Sequence, residues 1–138
     1  MLANVKPAQS CATCHDAAKS FTDSPLSVSE GVNKLTGTRN APKVVNAAYL
    51  DSQFWDGREP TLESQSLQPF LNPVEMALPD HEPILEVIRG DRQYRRMFDR
   101  VFDVDRDEIT MEHVAKAIAA FERTVLAGNS PFDRYEFG

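Results

Sequence analysis

The chain has 138 residues, 41% of them hydrophobic, with 21 acidic against 15 basic side chains and a formal net charge of −6. That length suits one compact domain with a modest core, and the acidic balance excludes nucleic acid as the main partner and leaves no basic stripe for an anionic membrane. No apolar run approaches the roughly 18 to 20 residues that cross a bilayer, and the acidic balance fits a positively charged partner.

The opening Met1-Leu2-Ala3-Asn4-Val5-Lys6-Pro7 lacks the apolar core of a signal peptide. The first predicted element is a helix over 8–19 that carries Cys11-Ala12-Thr13-Cys14-His15. A C-x-x-C-H run is the attachment signature of c-type haem. On a helical turn, positions i and i+3 share a face, so Cys11 and Cys14 can reach one macrocycle edge, with His15 as an axial ligand to the iron. The competing readings are a redox dithiol, half of a zinc site, or two buried thiols. A dithiol calls for a βαβ context and zinc for four ligands. The other histidines, His81 and His113, have no second cysteine pair beside them. Haem attachment of this kind takes place outside the bacterial cytoplasm, so the expectation is a periplasmic, exported protein whose numbering starts on a mature or shortened chain.

From Ser24 to Pro79 the chain is punctuated by Pro, Gly and Asn and reads as irregular, apart from a short helix over 61–68 opened by Thr61 after Pro60. After Pro79, Asp80 can cap a helix with Pro83 in its first turn, Ile84, Leu85, Val87 and Ile88 as its apolar face and Gly90 as its stop. Asp91 begins the next helix, in which Tyr94, Met97, Phe98, Val101 and Phe102 form an amphipathic stripe. Thr110 caps a longer helix whose Val114, Ile118, Phe121 and Val125 recur at helical spacing until Gly128. Both stripes are expected to be core. No strand or hairpin signal appears, so the fold class is all-α, a single domain over 1–138 built around one haem.

The middle of the chain carries further motifs: Gly37-Thr38-Arg39-Asn40-Ala41-Pro42, Val45-Asn46-Ala47-Ala48, Phe54-Trp55-Asp56-Gly57-Arg58, Leu62-Glu63-Ser64-Gln65 and Glu75-Met76. Ala119-Ala120-Phe121-Glu122-Arg123-Thr124 and Ser130-Pro131-Phe132-Asp133-Arg134-Tyr135 follow near the end. Together with the C-x-x-C-H run, in this order, they resemble the amino-terminal domain of bacterial di-haem cytochrome c peroxidases and their MauG-type relatives. The resemblance runs from Ser10 almost to the last residue.

It implies a cytochrome-c-like helical domain with one covalent haem c, the peroxide-reacting haem, and His15 as its proximal ligand. Gln65 and Glu75 match the distal Gln and Glu, and Pro69 matches a proline of the distal pocket. Trp55 matches a Trp that lies between two haems and assists electron transfer. Asn40 resembles a calcium ligand at the junction of two domains, with Asn46 as the fallback. The chemistry is sound apart from the resemblance. A carboxylate such as Glu75 over the iron can take the proton from one peroxide oxygen and return it to the other, and Gln65 can donate a hydrogen bond that orients the peroxide. From the residues alone, a surface Glu and a surface Gln are the simpler reading. A lone Trp is usually a core anchor, Asn40 can equally cap a turn before Pro42, and Asp56 and Arg58 read as a local ion pair shaping the turn at Gly57.

Three departures from the family pattern bear on function. One C-x-x-C-H is present and no second, so electrons must come from a partner cytochrome or a second haem domain. A half standing alone exposes apolar surface that favours a homodimer. The segment before the motif is only about ten residues, leaving the haem more exposed. The loop Ser29–Thr36 holds no His, which favours an open, five-coordinate iron. Met76 is an alternative sixth ligand suited to an electron carrier, against a structural Met; His81 and His113 are expected to be solvated. Two function classes follow. One is a peroxidase-type domain that reduces hydrogen peroxide; the other is a mono-haem electron-transfer or haem-sensing cytochrome.

Overall fold

The computed structural model describes residues 9–138; the opening seven residues and residue 8, the first of the helix predicted around the haem motif, lie outside them. Among the described residues there are six α-helices joined by 3-10 turns, and no strand. Pairing is confined to three isolated antiparallel bridges, Asp16 with Thr22, Glu30 with Thr36 and Gln53 with Glu59, each closing a short loop.

The predicted 8–19 helix is corrected to a single turn, α1, Cys11–Cys14. His15 closes it by donating its N–H to the Cys11 carbonyl at 2.8 Å, after which the chain turns back. The polar side chains that follow compete for the backbone. The Asp16 carboxylate accepts from the Ala18 N–H, Thr22 donates to the Lys19 carbonyl, and Ser20 and Phe21 adopt positive φ.

Helix α2, Leu62–Leu71, starts where expected, with the Thr61 hydroxyl accepting from the Ser64 N–H at 3.1 Å. It runs past the predicted end at 68: Pro69 costs one N–H and leaves the Gln65 carbonyl without its usual i+4 donor, but the next turn still closes, Asn72 N–H to Gln68 carbonyl. Helix α3, Glu82–Gly90, and helix α4, Arg92–Phe102, start and end as predicted, although Val87, expected on the apolar face of α3, is exposed. Asp80 accepts from the Glu82 N–H, and Asp91 accepts from both Gln93 and Tyr94. Helix α5, Met111–Thr124, is capped at Thr110 but stops four residues short of Gly128. Helix α6, Pro131–Phe137, was not foreseen, although Ser130 as cap and Pro131 as first residue are its ordinary start signals.

The core has two centres. Leu85 and Ile88 of α3, Phe98 of α4 and Val114 of α5 close around Ile109, which is 0% exposed; burying such a side chain contributes about 2 to 3 kcal/mol. The second centre packs α2 on α5 through Leu62 and Ala119, with Ala47 beneath. The predicted stripes are only partly core. In α4 the Phe98 and Phe102 rings face inward, whereas Tyr94, Met97 and Val101 are exposed; in α5 Phe121 is exposed too. A helix on the rim of so small a domain covers only one side, so a wide stripe overhangs it. His81 and His113 are only partly solvated: His81 stands edge-on to Phe70, and His113 lies against Phe102 while its Nδ1 accepts from the Thr110 N–H.

Asn46 is a structural clamp. Its side chain donates to the Ala127 carbonyl and accepts from the Ala127 N–H, both at 2.9 Å, and its own N–H reaches the Val125 carbonyl. These bonds tie the loop before residues 47–49 to the chain leaving α5, and they occupy the amide that would serve as the fallback calcium ligand. With φ at 63°, Asn46→Ala loses two hydrogen bonds and adds left-handed strain, an expected cost of about 2 to 3 kcal/mol. Asn46→Gly should cost less, and urea unfolding of the two variants beside wild type checks the order.

Candidate functional site

The attachment motif lies where α1 breaks. Cys11 and Cys14 are free thiols, the first exposed and the second half-buried. His15 Nδ1 lies 3.0 Å from the Phe21 carbonyl. A carbonyl can only accept, so Nδ1 carries the proton and Nε2 keeps its lone pair for a metal. The broken helix thereby orients the ring as a continuous one could not. These residues fit a covalently attached haem: two thiols three positions apart, an imidazole with Nε2 available, and uncovered apolar side chains nearby. Phe21 packs edge-on against Phe121 at 6.2 Å, and Phe121, Leu26 and Leu35 are exposed.

A second segment folds over the motif. After α2 the chain forms a tight turn over 72–77, in which the Asn72 side chain donates to Glu75 Oε1 at 2.8 Å and the Met76 N–H donates to the Pro69 carbonyl at 3.3 Å. The Val32 N–H donates to the Glu75 carbonyl at 2.9 Å, and Cys14 Sγ reaches the Glu30 carbonyl at 3.8 Å. The turn thus packs on the loop following the motif. Burial raises the Glu75 carboxyl above the ordinary glutamate range, opposed by the charge of Arg58, the Asn72 hydrogen bond and the charge of His15. Burial also raises the Cys14 thiol, helped by the charges of Asp23 and Glu75. Glu75 is therefore electrically coupled to both Cys14 and His15, an arrangement across 60 residues of chain.

Gln65 lies one helical turn before Pro69 on the same face of α2, half-buried, and Pro69 in turn carries Met76 through its carbonyl. Pro69, Glu75 and Met76 are thus joined at one turn, and Gln65 lies one helical turn before it. Trp55 and Asn40 belong to a separate patch. Trp55 is not a core anchor: it is 60% exposed, and its Nε1–H donates to the Asn40 carbonyl at 3.0 Å. Ser27, Thr38 and Arg39 complete the shallow groove around them. The ion pair expected between Asp56 and Arg58 is present at 2.8 Å, and Arg39 joins it at 3.0 Å. Arg58, stacked 3.5 Å above the Phe54 ring, links the two patches because its charge also reaches Glu75. Among the described residues no three His, Cys, Asp or Glu side chains converge as a metal site.

Two carboxylates beside the motif were not singled out by the sequence. Glu122 of α5 is raised to about 7, chiefly by burial, with Arg123 opposing and Glu63 adding to the effect. Its Oε2 is buried without a hydrogen-bond partner. Partial burial and the charge of Glu122 raise the Cys11 thiol, although Cys11 as a whole residue is exposed. The second carboxylate is Asp23. The only advance signal for Glu122 was its place in a motif, and Asp23 had none, because an acidic residue on a helix rim or in a loop is normally solvated.

A family model described as di-haem cytochrome c peroxidase matches residues 4–138. The chain is 40% identical to the methylamine utilization protein MauG of Paracoccus denitrificans (strain Pd 1222), over 91% of this chain and 37% of that protein. It is 39% identical to the cytochrome c551 peroxidase of Nitrosomonas europaea, over 91% and 36%. Among solved structures, a MauG-like protein associated with microbial copper homeostasis matches with a TM-score of 0.83 at 32% identity, over 93% of this chain and 38% of that one. The diheme peroxidase BthA from Burkholderia thailandensis E264 shares the fold with a TM-score of 0.75 at 23% identity, over 92% of this chain and 37% of that one. The chain thus spans little more than a third of the length of these relatives, and its all-α fold is theirs.

Proposed function

The chain belongs to the di-haem cytochrome c peroxidase family, and from that membership we propose that it is the haem domain in which hydrogen peroxide is reduced, with electrons from another haem or a cytochrome. The observation that carries this reading is Glu75, a carboxyl raised by burial and held by Asn72 on a turn electrically coupled to His15 and Cys14.

Cys11 and Cys14 would hold a haem c as thioethers, and His15, its ring oriented by the Phe21 carbonyl, would present Nε2 to the iron. Bound there, haem c supplies one-electron redox chemistry and an iron site for peroxide. Glu75 would take a proton from one peroxide oxygen and return it to the other, which needs it to leave as water. Its raised carboxyl suits both halves of that transfer, since it holds a proton more readily than an exposed glutamate. Gln65 donates a hydrogen bond that orients the peroxide, and Pro69 and Met76 wall the same side. Trp55, exposed and hydrogen-bonded to Asn40, is the entry point for electrons. Asn40 is the candidate calcium ligand, and its backbone carbonyl, already turned toward Trp55, ties that site to the electron route.

A periplasmic location accords with c-type haem attachment, and no helix among the described residues is long and apolar enough to cross a membrane. The relatives named as peroxidases weigh against the electron-carrier alternative. The test is the ferric EPR spectrum of haem-loaded protein followed by rapid mixing with hydrogen peroxide. A high-spin signal that is lost within the mixing experiment is expected. A low-spin signal indifferent to peroxide means that a sixth ligand, Met76 first among them, closes the iron, and the electron-carrier reading replaces this one.

A further inference from the structure

Asp23 is 6% exposed, and its Oδ2 is buried with no hydrogen-bond partner. A carboxylate so placed is costly unless something uses it, and neither haem attachment nor the proton transfer assigned to Glu75 does. No Lys or Arg among the described residues pairs with it. Its position is set by the loop that orients His15. The antiparallel bridge between Asp16 and Thr22 places His15 and Asp23 on adjacent chain segments, each one residue outside the paired positions. The Phe21 carbonyl that takes the His15 Nδ1 proton lies two residues before Asp23. Asp23 and Glu75, from the turn after α2, both act on the neutral Cys14 thiol of α1, and Asp16 and Lys19 belong to the same bridged loop.

We infer that Asp23 is a positioning residue for redox, a fixed negative charge beside the axial ligand that holds the haem iron toward its oxidised state. The inference rests on the haem reading above. Reduction adds one electron to ferric iron, from the reductant of the titration, and lowers the positive charge by one without making or breaking a bond to Asp23. A buried carboxylate favours the more positive, ferric form, and in a poorly screened interior it does so over several ångströms. Such a charge makes the iron slower to fill with electrons from a partner and readier to remain ferric, the state that meets peroxide.

The experiment is a spectroelectrochemical titration of haem-loaded wild type, Asp23→Asn, Asp23→Ser and Asp23→Glu. At the wild-type midpoint, either neutral variant is expected to change the ferrous-to-ferric ratio about tenfold toward ferrous, a shift of about 59 mV for one electron. Asp23→Glu, which keeps the charge, should remain within twofold of wild type. Unchanged ratios in the neutral variants, or equal shifts in all three, overturn the inference while leaving the haem reading intact. A wild-type chain that acquires no haem through Cys11 and Cys14 overturns both.

Discussion

Glu75→Gln is expected to slow the reaction of the haem-loaded protein with hydrogen peroxide by about 10²-fold or more, the usual scale for losing a general acid/base, while haem attachment and the reduced spectrum stay unchanged. The substitution is close to isosteric, and its side-chain oxygen can still accept the hydrogen bond that Asn72 donates at 2.8 Å, so the turn over 72–77 should keep its shape. What disappears is the ability to hold and release a proton. The pH profile gives a second reading of the same residue. A base must be ionised to accept the peroxide proton, so the wild-type rate should be lost as pH falls through the carboxyl's pKa, which burial sets above the ordinary glutamate value. That acid limb should be absent in Glu75→Gln. Rates measured by rapid mixing across the acidic range decide it, and an unchanged rate removes Glu75 from the mechanism.

Gly31→Ala should be nearly as damaging, for a steric reason. The φ of Gly31 is −103°, which any residue adopts, so backbone strain is not the issue. A Cβ there would overlap the Val74 carbonyl oxygen and stand 2.8 Å from the Val74 carbonyl carbon and 2.9 Å from Glu75 Cα. These are backbone atoms and cannot rotate aside. Relief requires the two segments to separate, which breaks the bond from the Val32 N–H to the Glu75 carbonyl and carries Glu75 away from His15. The expected cost is about 2 to 3 kcal/mol of stability, as for overpacking in a close-packed contact, together with a loss of up to about 10²-fold in peroxide reactivity from a displacement of roughly 1 Å. Urea unfolding and peroxide kinetics on the same preparation test both parts. Wild-type values in the two would mean that the 72–77 turn does not rest on Gly31.

The two predictions converge on one structural fact, the seating of a turn at residues 72–77 on a loop at residues 30–35, beside a motif near the amino terminus. Local signals announced each piece and none announced the seating. The C-x-x-C-H run was legible because its chemistry depends on residue spacing alone. Helices α3, α4 and the start of α5 were legible because caps at Asp80, Asp91 and Thr110 and apolar residues at helical spacing act within a few residues of chain. The 8–19 helix failed because Asp16, Ser20 and Thr22 turned the backbone on itself and the His15 ring took the Phe21 carbonyl, a competition invisible to periodicity.

Sequence by itself thus determined the all-α class, most helix starts, the attachment motif and, through ordered motifs, the family. Tertiary structure decided which nitrogen of His15 is free, that Glu75 lies beside the motif while Trp55 stands exposed at Asn40, that Asn46 clamps the chain leaving α5, and that Asp23 Oδ2 and Glu122 Oε2 are buried without hydrogen-bond partners. The physical reason is range. Caps and helical spacing are settled between neighbours in the chain, whereas desolvation and charge coupling depend on which distant segments exclude water from a side chain, and only the packed molecule sets that.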